Sequence, residues 1–436
     1  MKKTFTAVML LTLVFACMAY AGGKWDFLGG FPDTVAFNNR VQPKNTHVHG
    51  LAVDPDGNVW AQKYYATDSI MTSGGTYAAC RNLLVYRPDG TQLPFSPVKI
   101  LTVGGVPDTL WNSGLGLRAD HEGNILVSTY NTLYRVNYKT GEGMNKWVRP
   151  DANGVTAAGV DAAGDIFLGT VLPALNMKLL YPDFGDQGNA IDTVVGYSRS
   201  HNVSADGNDI YYTAFSEKRT VKFHSDFGTF GPYLAVDTLF PGMSVESSCW
   251  NPKSGLLYLS SGGQTPADSP YALARWYGVD VTTKAIVDTI VWNFDLSPTS
   301  PANDVRPRAI AFSPGGDTAY VGSFGGTGTL LQMFRAPVTS VRPDPQGIPH
   351  GFMLDQNYPN PFNPKTEIKF SIEQSGLTTL VVYDLLGREI ETLVSEDLAR
   401  GAYTTSFNAS KLSSGTYLYR LTSGGVSITK KMVVLK

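Results

Sequence analysis

Apolar and polar positions alternate in short bursts through the first three-quarters of the chain, and paired bursts are joined by turns of Asp, Asn, Ser, Pro and Gly. Residues 50–61, GLAVDPDGNVWA, give the unit: an apolar run, a polar turn and a second apolar run ending in Trp60. That pattern predicts a β-hairpin. It recurs at 119–128 (ADHEGNILVS), 160–170 (VDAAGDIFLGT), 203–214 (VSADGNDIYYTA), 250–261 (WNPKSGLLYLSS) and 312–323 (FSPGGDTAYVGS). The turn glycines Gly57, Gly123, Gly164, Gly207, Gly255 and Gly316 lie roughly 41 to 66 residues apart, within or above the period of repeat architectures. Asp, Asn or Ser opens most of these turns, where its side chain can cap the turn amides, and Gly supplies the positive φ.

Further short apolar runs follow the hairpins, at 82–86 (NLLVY), 132–137 (TLYRVN), 220–224 (TVKFH), 276–281, 286–292 and 328–334. Four short strands in a unit of about 40 residues match a β-propeller blade. A single blade cannot bury both of its faces, whereas blades stacked around an axis can. Six turn markers predict six blades over residues 22–337. Seven stays open, because the spacers near 62–115 and 256–308 are long enough for another hairpin. Closing a ring requires its ends to meet, so residues 24–35, with Trp25 and Phe27, are expected to supply a strand to the last blade.

The pattern then changes. Residues 338–351, rich in Pro, read as an extended, semi-stiff linker. A second domain spans 352–436. Pro359, Pro361 and Pro364 forbid helix at its start, and alternation sets in at Ile368, Phe370 and Ile372. Residues 377–394 read as strand, turn at 384–388 and strand, although the second half has a helix-like composition. Gly401, Gly415 and Gly424-Gly425 mark later turns, and Tyr417, Tyr419 and Leu421 alternate. About seven strands predict a small Ig-like antiparallel β-sandwich. The whole chain is thus expected to be all-β.

Composition fits this picture. At 436 residues two or more domains are expected, and abundant Gly (45), Pro (26), Tyr (22) and Phe (21) suit short strands with tight turns. Charged residues are 17% and the net charge is −2, which argues against a nucleic-acid surface. The N-terminus carries Lys2 and Lys3, an apolar stretch at 7–15 and Ala19-Tyr20-Ala21. That is the layout of a secretory signal peptide, 1–21, handled by the Sec export machinery and cleaved after Ala21. The apolar stretch is too short for a membrane anchor, and no later segment qualifies as a transmembrane span. Residues 14–17 loosely resemble a lipoprotein box ending in Cys17, but Phe15 is bulky where a small residue is expected. Cys80 and Cys249 remain after cleavage and are expected as two separate buried thiols.

Two stretches resemble known families. Tyr358-Pro359-Asn360-Pro361-Phe362-Asn363-Pro364, Val382-Tyr383-Asp384, Leu386-Gly387-Arg388-Glu389, Leu412-Ser413-Ser414-Gly415-Thr416-Tyr417 and Lys430-Lys431-Met432-Val433 occur in that order. They resemble the type A C-terminal sorting domain of the type IX secretion system of Bacteroidetes and related bacteria. The resemblance implies passage through the outer membrane by the type IX apparatus, tail cleavage and attachment of the cargo to the surface. The turn consensus over about 36–337 resembles NHL and regucalcin-like (gluconolactonase) propellers.

Candidate chemistry lies just ahead of the repeated first strands, at one mouth of the expected channel. His47, His49, Thr156, Arg199, His201, Asn202, Glu246, Arg306 and Arg308 fall there. A ring of His, Arg and Glu can hold a polar or anionic ligand. The regucalcin-like resemblance implies a channel-axis divalent cation and hydrolase chemistry, but Glu246 is the only acid on the ring. Asp54 and Asp56 read as turn residues, since the loop is shorter than an EF-hand and lacks its last Glu. The expectation is an exported cell-surface or secreted protein that binds an unknown extracellular ligand or protein, with no catalytic residues assigned and no cofactor. The alternative is a metal-dependent lactonase or hydrolase at the channel mouth.

Overall fold

The computed structural model describes residues 25–32, 47–66, 68–171, 173–262, 265, 269–293, 306–324, 331–336, 341–343, 352–373, 375–398 and 400–436. The signal segment, Cys17 and most of the linker lie outside them. Strands dominate and no α-helix occurs among the described residues, so the chain is all-β. It divides into two compact units, one of residues 23–338 and one containing residues 339–436.

In the larger unit each turn marker sits between the first two strands of an antiparallel sheet. The first sheet has three strands, Val48–Val53, Val59–Lys63 and Leu83–Tyr86. The next four have four strands each, and open with Gly116–Ala119, Gly159–Val160, Ser198–Val203 and Ser248–Trp250. The sixth joins Arg306–Phe312, Thr318–Phe324 and Leu331–Arg335 to the N-terminal strand Asp26–Gly30. That last pairing is the expected end-to-end strand. All six marker glycines have φ between 68° and 90°, which an L side chain adopts only under strain. The 62–115 spacer holds two separate hairpins, Asp68–Met71 with Tyr77–Cys80 and Ile100–Val103 with Val106–Thr109.

The second strand of each sheet explains the packing. Its successive side chains point to opposite faces, and both faces are covered. Trp60 packs with Leu117, Ile125 and Val127 of the second sheet, whereas Val59 and Ala61 pack with Ala309, Ala311 and Tyr320 of the sixth. Leu126 faces Ile166 and Leu168 of the third sheet. Phe167 faces Ile210 and Tyr212 of the fourth, and Tyr211 faces Leu257 and Leu259 of the fifth. Tyr258 and Trp276 of the fifth sheet pack with Phe312, Ala319 and Val321 of the sixth. Each sheet therefore shares a core with the next, and the sixth shares one with the first. First strands approach closely enough to exclude side chains: a Cβ on Gly50 would lie 2.8 Å from the Leu117 amide nitrogen.

The smaller unit has two four-stranded antiparallel sheets across one core. One orders Val341–Pro343, Gly401–Asn408, Lys365–Ile372 and Met353–Leu354. The other orders Glu389–Leu398, Gly376–Tyr383, Gly415–Ser423 and Val426–Val434. Ile368, Phe370 and Phe407 meet Leu380, Val382, Tyr419 and Met432 between them. One sequence expectation needs adjusting, and the strand reading after the 384–388 turn holds despite its helix-like composition. Residues 341–343, read as linker, pair with Tyr403–Thr405, because that edge strand offers unpaired backbone groups. Glu389–Leu398 is a strand, since its partner Gly376–Tyr383 supplies a ladder that outweighs helix propensity.

Trp25 ties the N-terminus to this ring of cores. It is 4% exposed, donates from Nε1 to Asp288 Oδ2 at 2.6 Å and packs against Tyr258 and Phe312. Trp25→Ala should lower unfolding free energy by about 3–5 kcal/mol, read by urea denaturation. A change under about 1 kcal/mol would mean that the N-terminal strand contributes little to closure.

Candidate functional site

The turn acids serve the turns. The buried Asp54 carboxylate accepts hydrogen bonds from the Asp56 and Asn58 amides, from Asn58 Nδ2 and from Trp60 Nε1 at 2.8–3.1 Å. Asp120 caps its own turn in the same way and pairs with Arg135 Nε at 2.7 Å. These carboxylates have no spare lone pairs aimed at solvent for a cation.

The polar cluster forms where first strands begin and second strands end. Arg308 lies on the first strand of the sixth sheet and Glu246 just ahead of that of the fifth. They make an ion pair with side chains 5% and 2% exposed. Arg308 Nη1 donates to His49 Nε2 at 2.8 Å, and its guanidinium lies 4.9 Å from the centre of the Phe324 ring. Burial, then the charges of Arg308 and Arg199, hold the His49 pKa well below its usual value. Neutral imidazole is the form that can accept from Arg308. Burial also lowers Arg308 to about 10, opposed by Glu246, so it stays charged at neutral pH.

Arg199 joins from the fourth sheet, with its guanidinium 4.5 Å from the Phe215 ring centre and 5.6 Å from that of Tyr197. His47 sits between Tyr65 and Phe324, at 5.1 and 4.3 Å between ring centres. Arg306 is exposed, 6.0 Å from the Phe324 ring centre. His49, Arg199, Glu246 and Arg308 line a cavity of about 20 Å³, room for a water or two rather than a substrate.

His201 and Asn202 do not join this group, because a register irregularity between Ser198 and His201 turns them into the sheet junctions. His201 Nε2 lies 2.8 Å from the Phe167 carbonyl oxygen and 3.1 Å from the Gly159 amide nitrogen. Asn202 Nδ2 donates to Ser248 Oγ at 2.6 Å. Thr156 is buried, and its carbonyl accepts from Ser128 Oγ. Sequence reasoning missed Arg118, which lines the cavity and donates to the Ala158 and Ser248 carbonyls, both at 3.1 Å. It also missed the aromatic residues that close second strands: Tyr64, Tyr130, Phe215 and Phe324. Their common place at the end of four of the six repeats was the available signal.

A channel-axis cation does not fit these residues. The Arg308 guanidinium engages both Glu246 and His49, so a cation there would displace or face a fixed positive charge. Among the described residues no three His, Cys, Asp or Glu side chains converge as metal ligands. Cys80 and Cys249 are unpaired thiols. Cys80 is buried as expected, but Cys249 is only partly so. Burial raises both thiol pKa values, which disfavours the nucleophilic thiolate.

In the smaller unit the motif residues divide by role. Phe362 is 2% exposed; its amide donates to the Val433 carbonyl at 3.0 Å and its carbonyl accepts from the Leu435 amide at 2.9 Å. Asn360 Oδ1 accepts from the Val433 amide at 2.9 Å. Gly387 takes φ 79° in a turn where Arg388 Nε meets Asp384 Oδ2 at 2.7 Å. Gly415 opens a strand, and Tyr417 donates from its hydroxyl to the Ser413 carbonyl at 3.1 Å. Tyr358, Pro359, Pro361, Asn363, Pro364 and Lys431 are exposed, and Lys430 is half-buried beside Lys431 on the edge strand.

Residues 356–435 match the family model described as the secretion system C-terminal sorting domain. This tail is a type IX sorting domain. It implies the secretion apparatus as a partner and supports secretion and cell-surface localisation. No curated protein matches the chain. Among solved structures, the chain is similar to the extracellular domain assigned to a one-component system of B. thetaiotaomicron, with 12% identity and a TM-score of 0.41. That match covers 96% of this chain and 58% of the other, so the chain spans well under two thirds of that domain's length. It is similar also to a fungal alcohol oxidase of the AA5 family in complex with copper, at 13% identity and TM-score 0.41, covering 94% and 99% of the two chains. Chaetomium thermophilum Raptor matches at 8% identity and TM-score 0.46, over 72% of this chain and 30% of its own.

Two measurements check the polar interior. Glu246→Gln leaves the buried Arg308 charge without its partner and should destabilise the protein by about 3–5 kcal/mol in urea denaturation. Burial lowers the His201 pKa from 6.5 to about 4. The unfolded chain then binds more protons than the folded one within that window, so stability falls as pH drops from 6.5 towards 4 and is unaffected above it. His201→Gln should flatten that slope by up to about 3 kcal/mol. An unchanged slope would mean that the imidazole is not held neutral.

Proposed function

We propose that this protein is an exported, surface-displayed binding module. Residues 23–338 are read as a six-bladed NHL-like β-propeller, and residues 339–436 as an Ig-like β-sandwich that routes it through type IX secretion. The match of residues 356–435 to the sorting-domain family carries the export reading. Six sheets that share cores in a closed sequence support the propeller reading. So does the pairing of Asp26–Gly30 with Leu331–Arg335, which joins the two ends of the repeat region. A signal peptide at 1–21 supplies the first export step under this reading. A binding role is favoured over hydrolysis because Glu246, Arg308 and His49 are already engaged with one another and form no open cation cage.

The test uses a host with a type IX system. The full chain should reach the cell surface and be accessible to added protease. A chain ending at residue 338 should accumulate in the periplasm, and residues 339–436 fused to a periplasmic reporter should carry it outside. Equal surface exposure of the truncated and full chains would refute the sorting role.

A further inference from the structure

Among the described residues, the mouth of the larger unit holds more positive charge than it neutralises. Glu246 is committed to Arg308. Arg199 and Arg306 have no carboxylate partner among the described residues. Arg199 Nε is buried without a hydrogen-bond acceptor, and the side chain lines the small cavity beside His49 and Arg308. Its guanidinium is held over Phe215 and Tyr197, as that of Arg306 is over Phe324. Stacking fixes a guanidinium by its face and leaves its donor edge free. Arg199 lines the cavity together with Arg308, and Arg306 and Arg308 share the Phe324 ring, so the three guanidinium groups lie in one region. Tyr65, 40% exposed and stacked on Phe324, extends an aromatic face beside Arg306.

We propose that Arg199 and Arg306 form a seat for a small carboxylate-bearing ligand at this mouth. The cavity beneath takes water alone, so the ligand body rests outside it, against Tyr65 and Phe324, with its carboxylate towards the arginines. A carboxylate suits the site better than a phosphate dianion. The fixed charge of Glu246 opposes a second negative charge, and Arg308 already engages a carboxylate on the same wall. This assignment deepens the reading of the unit as a binding module, but it does not depend on export, since binding is measured in solution and export in cells.

The experiment titrates the purified chain with sodium glucuronate, sodium acetate, sodium phosphate and glucose by isothermal calorimetry. Glucuronate or acetate should bind saturably and glucose should not. Preference for glucuronate identifies an acidic sugar as the source, and equal affinity identifies a free organic acid. Arg199→Met should weaken carboxylate binding roughly tenfold or more, and the exposed Arg306→Met about threefold. If Arg199→Met melts early, Arg306→Met and a salt series on the unaltered chain carry the test, with affinity falling as ionic strength rises. Absence of saturable carboxylate binding, tighter binding of phosphate, equal binding of glucose, or an affinity unmoved by both Arg306→Met and salt would overturn the proposal.

Discussion

Burial of both faces of every sheet is the constraint on which the larger unit depends. A twisted four-stranded sheet with apolar side chains on both faces has no stable exposed state. Here each face finds the next sheet, so Trp60 and its neighbours Val59 and Ala61 serve different cores one residue apart. The arrangement tolerates no missing partner. Without Asp26–Gly30 the sixth sheet would have three strands, and its junction with the fifth would lack the Trp25 ring. Closure is therefore a property of the two chain ends together rather than of any one repeat.

The same constraint produces the polar interior. First strands converge closely enough for glycine at Gly50 and Gly116, and the side chains that point inward meet in a space of a few water molecules. Charges placed there cannot be solvated, so they must satisfy one another. Arg308 does so with Glu246 and His49, and the imidazole yields its proton affinity in the process. Arg199 and Arg306 lie at the rim, where aromatic faces replace a counter-ion. Among the described residues, a neutralised centre thus adjoins two arginines with no carboxylate partner, and the proposed anion seat rests on that difference.

Much of this was legible in the sequence. The turn markers located six sheets, because a positive φ between two short apolar runs leaves little choice but a hairpin. The turn role of Asp54 was legible from its recurrence. The mouth was read only in part. Being ahead of a first strand fixed the neighbourhood of His49, Arg199, Glu246 and Arg308, but not the direction of His201 and Asn202. With a period of two, a one-residue offset sends a side chain from the channel into a sheet junction, and strand irregularities near Ser198 and His201 supply such an offset. Arg118 directly precedes the repeat at 119–128, so the signal that located His49 and Arg308 was available for it as well. The strand at Val341–Pro343 was hidden by its prolines, which suit an edge as well as a linker.

The sorting tail is legible for a different reason. Its motif holds residues that fix the backbone beside residues left in water. Phe362 fills the core and Asn360 bonds the Val433 amide, which holds the proline-bearing segment against the last strand. That segment covers part of the strand edge with residues that lack amide donors, so the edge is poorly suited to pairing with another chain. Tyr358, Pro359 and Pro361 are presented to solvent as a consequence. A motif that both seals an edge and exposes a fixed surface resists change at either kind of position. The proposed ligand seat in the larger unit divides in the same way, with Arg199 lining the packed cavity and Arg306 and Tyr65 exposed. Destination and ligand choice are thus both written partly in residues that the fold also needs.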